Sequence, residues 1–318
     1  MQVTRLLPGV LWPFLAVVAT AVVGGCKGCM EPPAVEEPGR QRGRETLAVL
    51  EGGKPLLLEN RLFLLSGEID LKNSYQSAVR VTVGDGEESR MRCSGAAVSR
   101  RAVLTAGHCV CARRKREPSV PGESAFIDTA KCSGTATVET VLYAPRIEDG
   151  VELKASRGKV HEGTVRPHPA LMIVLDEQGH VVSARADLAL IVLREPMEVQ
   201  PAAVTDAEVR IGDSVIIVGY GYDEIADAFG HDRRSSVNRA LRVLAPGNER
   251  ILVEQPGKHL YRSDSGGPCF LGKPAGLALV GISSRWLGEG ATFTSIYAYR
   301  GWLREEIHRA ESERLDER

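Results

Sequence analysis

From about residue 65 the chain alternates short apolar, often β-branched runs with turns rich in Gly, Asp and Pro. The runs over 77–83, 95–98, 138–143, 188–193, 215–219 and 277–282 have strand lengths and turn-like boundaries. Runs of this length and spacing predict an all-β fold, a sandwich or a barrel. The end of the chain has another period. Ile296, Tyr299, Leu303 and Ile307 recur at three- and four-residue steps, with Arg304, Glu305, Glu306 and Arg309 between them. That spacing predicts one amphipathic helix over about 296–312. The chain shows no repeat at solenoid or propeller periods.

The first residues have a different pattern. Arg5 supplies a positive n-region, 6–23 are mostly apolar, and the run ends in Val23-Gly24-Gly25-Cys26. This pattern predicts a signal peptide over 1–25. Its end resembles the lipobox of bacterial lipoproteins, which implies a lipid on Cys26 and a place in the cell envelope, with plain secretion as the other exported outcome. Pro8 and Pro13 in a barely long enough apolar run weaken an uncleaved anchor. Segment 26–64, with Pro32, Pro33, Pro38 and alternating charges, reads as a solvated spacer or pro-segment ahead of a domain over 65–318.

Composition narrows the function classes. The 318 residues suit two domains, or one large all-β unit with tails. Lys plus Arg number 40 against 41 Asp plus Glu, so no polycationic surface exists for a nucleic acid. With 43% hydrophobic and 25% charged residues, the chain is neither disordered nor a multispan membrane protein. Export permits disulfides among the six cysteines after Cys26. Cys111 and Cys132 are able to close one loop, while the sequence leaves Cys29 and Cys269 undecided.

Three segments carry chemistry, in the order His, Asp, Ser: Cys93-Ser94-Gly95 with Thr105-Ala106-Gly107-His108-Cys109, then Ala186-Asp187-Leu188, then Asp264-Ser265-Gly266-Gly267-Pro268. Each alone is ordinary strand or turn chemistry. Together they supply a hydroxyl, an imidazole to take its proton and a carboxylate to fix the imidazole's tautomer.

These residues resemble the chymotrypsin/trypsin family of serine proteases over about 65–309, with further marks in His168-Pro169, Gly219-Tyr220-Gly221, Val280-Gly281-Ile282-Ser283-Ser284 and Trp302. The resemblance implies two six-stranded antiparallel Greek-key β-barrels, the first over about 65–200 and the second over about 201–295, with the C-terminal helix following. It implies hydrolysis of peptide bonds through an acyl-enzyme, with Ser265 as nucleophile, His108 as base and Asp187 as its orienting carboxylate. The oxyanion hole would be the backbone N–H groups of Ser263 and Ser265. It further implies a Cys93–Cys109 disulfide, a protein or peptide substrate, and no cofactor or metal. Glu148-Asp149 and Asp176-Glu177 lie where some relatives bind calcium, but they read as solvated surface.

Departures from the family pattern bear on specificity. Ser263 replaces the glycine usual two before the nucleophile, and Tyr261 stands where many relatives have a cysteine. His108 and Asp187 are 79 positions apart, with Arg113-Arg114-Lys115-Arg116 near the start of this long interval, which reads as surface loop. His259 stands in place of the aspartate that selects Lys and Arg in trypsin-like enzymes. Ser284, Trp286 and Ser295 are expected in the pocket wall, so small or acidic side chains are the expected preference. Leu65-Ser66-Gly67-Glu68 falls where zymogen relatives begin, which would pair a new amino terminus with Asp264. Two other classes use the same residues: a protease-fold binding module that has lost activity, and a metal-binding lipoprotein built on His108, Cys109, Cys111 and Cys132. The complete triad argues against the first, and Cys-x-Cys is not a usual zinc spacing.

Overall fold

The computed structural model describes residues 48–51, 54–57, 68–84, 91–115, 124–148, 151–204, 206, 208–223, 228–229, 232–243, 250–253, 265–273, 276–284 and 292–316. Contacts divide the chain into Met1–Arg44, outside the described residues, and Glu45–Arg318. The expected signal peptide and Cys26 therefore lie outside them, as do Leu65, His259, Tyr261, Ser263, Asp264 and Trp286.

The second unit opens with β1 (Ala48–Glu51), β2 (Lys54–Leu57) and β3 (Glu68–Ile69). β4 (Ala78–Val83), β5 (Met91–Ala97) and β6 (Ala102–Thr105) lead into one helical turn, α1 (Gly107–Val110). Then come β7 (Arg114–Lys115), β8 (Ala125–Asp128), β9 (Thr135–Glu148), β10 (Val151–Pro167), β11 (Met172–Leu175), β12 (Val181–Arg185) and β13 (Ala189–Leu193). β14 (Ala203–Val204) and β15 (Ser214–Gly219) precede the short pair β16 (Tyr222–Asp223) and β17 (Ala228–Phe229). β18 (Arg234–Val243), β19 (Arg250–Val253), β20 (Pro268–Lys273), β21 (Gly276–Ser283), β22 (Thr292–Ser295) and the helix α2 (Arg300–Asp316) complete the order.

Two closed six-stranded antiparallel barrels result. The first runs β13-β6-β5-β4-β9-β10 and closes by pairing β10 with β13. The second runs β21-β20-β15-β18-β19-β22 and closes by pairing β21 with β22. Closure removes the exposed edges that an open sheet presents. Strand β4 shows why the sequence folds this way: Val79, Val81 and Val83 are buried while Arg80 and Thr82 are half-exposed, a period of two. The fully buried Leu104, Leu190 and Ile191 fill the first interior, and Ile251, Cys269 and Phe293 lie in the core of the second.

The described part of the long His108–Asp187 interval, expected as surface loop, contains an ordered sheet. Between α1 and β9 the chain forms β7 and β8, and after β10 it forms β11 and β12. These assemble an accessory sheet in the order β12-β11-β8-β7. Ile127, Ile173 and Leu175 of this sheet are buried in the first core. A disulfide between Cys111 and Cys132 closes its base. The segment 26–64, expected as spacer, contains the β1–β2 hairpin, with β1 in parallel pairing on β10.

The helix α2 begins four residues later than the period suggested; just before it, Ile296 is fully buried and Ala186 N donates to the Tyr299 hydroxyl at 2.9 Å. Arg166 of β10 reaches Glu306 at 3.5 Å and Glu313 at 2.6 Å, which pins the helix against the first barrel.

Candidate active site

α1 carries His108 out of β6 at the end of the first barrel, and Asp187 lies just ahead of β13, which pairs with β6. The pairing of two neighbouring strands thus brings together residues far apart in sequence. Asp187 is 1% exposed and His108 4%. Asp187 Oδ1 accepts from the His108 backbone N–H at 2.9 Å, and Oδ2 stands 2.8 Å from His108 Nδ1. The Ser284 hydroxyl of the second barrel donates to Oδ2 at 2.6 Å. Burial alone pushes the Asp187 carboxyl up, but the His108 charge and the hydrogen bonds from His108 and Ser284 outweigh it and hold the group well below the usual carboxylate range. An ionised Asp187 makes Nδ1 the donor, which leaves Nε2 as the basic nitrogen.

Ala186, immediately before Asp187, has φ +48, a conformation that costs a residue with a Cβ on the order of 1 kcal/mol. Bonds on both sides hold it, from its N–H to Tyr299 and from Leu188 N to its carbonyl at 2.7 Å. Tyr299 and Trp302 also pack on His168, with ring centroids 5.0 and 4.6 Å away, so His168-Pro169 and Trp302 meet behind the aspartate strand.

Ser265 is half-buried in the turn before β20. Its carbonyl accepts from Ser94 N at 2.9 Å and lies 3.6 Å from Cys109 Sγ, so the turn sits against the His108 segment. Gly266 has φ +84, and a Cβ there would stand 2.2 Å from both Ser94 O and Thr105 Oγ1. Only glycine permits this approach. Gly266 N donates to Ser283 O and Ser283 N to Gly267 O, both at 2.8 Å, which fastens the same turn to β21. Cys93 and Cys109 form a disulfide, and Cys111 and Cys132 a second. The cysteines of the metal-binding reading are thus bonded to sulfur, and His108 Nδ1 faces Asp187.

Of the expected pocket residues, Ser284 directs its hydroxyl to Asp187. Ser295 pairs with Gly281, while Ser284 N donates to Thr292 O at 2.9 Å, so Thr292 rather than Ser295 lies beside Ser284. Of the acidic pairs, the Glu148 side chain and Asp149 lie outside the described residues, and Asp176 accepts from His180 N at 2.7 Å; no group of three or more metal-binding side chains converges among the described residues.

Several contributors are invisible to motif reading. Ser94 serves both barrels: its carbonyl accepts from Thr105 Oγ1 at 2.8 Å and its hydroxyl accepts from Tyr220 N at 3.0 Å. Tyr299 and Arg250 carry no local signature, since their roles depend on strands distant in sequence.

The barrels, the His-Asp pair and the Ser265 turn all lie inside 68–303, the span matched by the Trypsin family model. No curated protein matches the sequence. With more than half of its residues covered by that model and both barrels present, the chain belongs to the trypsin family.

Proposed function

We propose that this protein is an exported serine endopeptidase that cleaves peptide bonds through an acyl-enzyme. The observation that carries the reading is the buried His108–Asp187 pair, locked at two atoms of Asp187 and supported by Ser284, with the Ser265 carbonyl bonded to Ser94 N and 3.6 Å from Cys109 Sγ, next to His108 in the chain.

In this reading Ser265 Oγ attacks the substrate carbonyl, and His108 Nε2 takes its proton. The backbone N–H groups of Ser263 and Ser265 receive the charge that develops on the carbonyl oxygen. The proton then passes from His108 to the leaving amine, and water repeats the sequence on the ester to free Ser265. Asp187 stays ionised throughout, stabilising the imidazolium as it forms. No cofactor or metal enters this chemistry.

Residues 1–25 act as the signal peptide, Cys26 carries a lipid that holds the protein at the cell envelope, and 65–318 form the protease domain. His259 in place of a basic-selecting aspartate supports cleavage after small or acidic residues rather than after Lys or Arg. Incubation with a peptide library tests activity and preference together. Cleavage that disappears in Ser265→Ala and leaves Lys and Arg sites largely intact is the expected result. A tryptic profile would overturn the pocket assignment. Absence of all cleavage, with the fold intact, would favour a binding module.

A further inference from the structure

Arg250, at the start of β19, is 1% exposed, and the catalytic steps above do not use it. It lies opposite Thr294 in the pairing with β22, and its Nη2 donates to Thr292 Oγ1 at 2.5 Å. Thr292 is itself buried, and its carbonyl accepts from Ser284 N at 2.9 Å. Ser284 in turn donates to Asp187 at 2.6 Å. A path of bonds therefore leads from the guanidinium to the Asp187 carboxylate through Thr292 on β22 and Ser284 just past the end of β21.

We propose that Arg250 is a positioning residue for the His108–Asp187 pair: its guanidinium, anchored on Thr292 beside Ser284, is a fixed positive charge behind Asp187 that disfavours protonation of His108 in the resting site. The proposal rests on the serine-endopeptidase reading. Burial lowers the Arg250 pKa to about 10 and the field of Asp187 raises it in part, so Arg250 is charged at neutral pH and the two groups interact. A cation held near a carboxylate–imidazole pair favours the carboxylate and opposes a second positive charge on the ring. The pair needs a neutral imidazole to accept the Ser265 proton, so the cation extends the active range toward acid pH.

The titratable groups packed on the pair from other elements are the Tyr299 hydroxyl at Ala186 N and His168, stacked on Tyr299 and Trp302, while the neutral Ser284 hydroxyl, just past β21, donates to Asp187. All are kept in the variants that test the idea. For a unit charge at an effective dielectric constant of about 20, its removal shifts the neighbouring titration by on the order of one pH unit.

The experiment compares full-length wild type, Arg250→Met and Arg250→Lys. It measures kcat/KM against pH with a p-nitrophenyl ester and follows the His108 ring by proton NMR. Arg250→Met is expected to move both the acid limb and the NMR midpoint upward by on the order of one unit. Rates below the limb then fall about tenfold while the alkaline plateau changes little. Arg250→Lys keeps the charge and is expected to titrate like wild type. A folded Arg250→Met with unmoved midpoints, or an Arg250→Lys that shifts equally, overturns the proposal. If Arg250→Met does not fold, Thr292→Val releases the guanidinium from its anchor; a smaller upward move supports the proposal and none overturns it. The NMR arm needs no turnover, so a shift without hydrolysis supports the charge coupling and sinks the peptidase reading, whereas hydrolysis without a shift does the reverse.

Discussion

Asp187 accepts three hydrogen bonds while 1% exposed, and its charged form is worth more to the folded protein than to the unfolded chain. Its folded pKa is depressed, so this contribution is complete above the unfolded carboxylate value of about 3.9 and is lost as pH falls through the folded value. Asp187→Asn should therefore flatten the acid side of the stability curve, below about pH 4, in thermal melts taken across pH. The same variant misorients the imidazole and should lower kcat by on the order of 10⁴ with the fold retained. Removing one charge-assisted bond by Ser284→Ala should cost about tenfold in kcat/KM, read with the same peptide substrate. At Gly266 the obstacle is steric. With φ +84 and two oxygens 2.2 Å from a new Cβ, Gly266→Ala should lose on the order of 3 kcal/mol in denaturant unfolding. His108, Asp187, Ser265 and Gly266 were visible in the chain because each belongs to a short motif whose neighbours repeat its meaning. Ser94 and Arg250 were not, because a serine in a strand and an arginine before an apolar run look ordinary until the barrels close around them.

Among the elements, β3 and β18 are joined by more than their two-residue ladder. Arg233, fully buried just before β18, contacts Asp70 at 2.8 Å through Nε and donates to Val141 O at 2.7 Å, which ties β3, β9 and β18 together. Asp70 also accepts from Ser74 N and Tyr75 N, both at 2.8 Å. Arg233→Met should cost about 3–5 kcal/mol, since it leaves Asp70 charged in the interior. Adding Asp70→Asn should recover part of that loss, because the amide removes the buried charge while its oxygen still accepts from Ser74 N or Tyr75 N. Thermal melts of the single and double variants check both statements. The strand periods were legible wherever one face is buried and the other wet, as in β4. The accessory sheet was not, since β7, β8, β11 and β12 are two to five residues long and pair across insertions. The polar composition of that interval resembles loop, and only the burial of Ile127, Ile173 and Leu175 shows why it is ordered as a sheet.

At the scale of the molecule, the site is a product of two barrels meeting. The first supplies His108 and Asp187; the second supplies the Ser265 turn, Ser284 and Arg250. Ser94 bonds the two together, through Ser265 O and Tyr220 N, and Gly266 lets them approach without a clash. This division is why the His, Asp and Ser motifs stood out in the sequence while the support around them did not: motifs are local, and the interface between barrels is assembled only by the fold. The N-terminal reading belongs to the same scale. If the proposed lipid sits on Cys26 and the proposed protease domain begins near Leu65, any cleavage before Leu65 falls between anchor and catalyst. N-terminal sequencing of the active species should find a chain that starts near Leu65, and full activity in a chain that still starts at Cys26 would separate activation from release. The central claim is that Ser265 is a nucleophile activated by His108, and covalent labelling of the purified protein with a fluorophosphonate tests it most directly. Mass spectrometry of the digest should place the label on Ser265, with none in Ser265→Ala or His108→Ala; labelling that survives Ser265→Ala, or its absence from correctly folded wild type, would contradict the account.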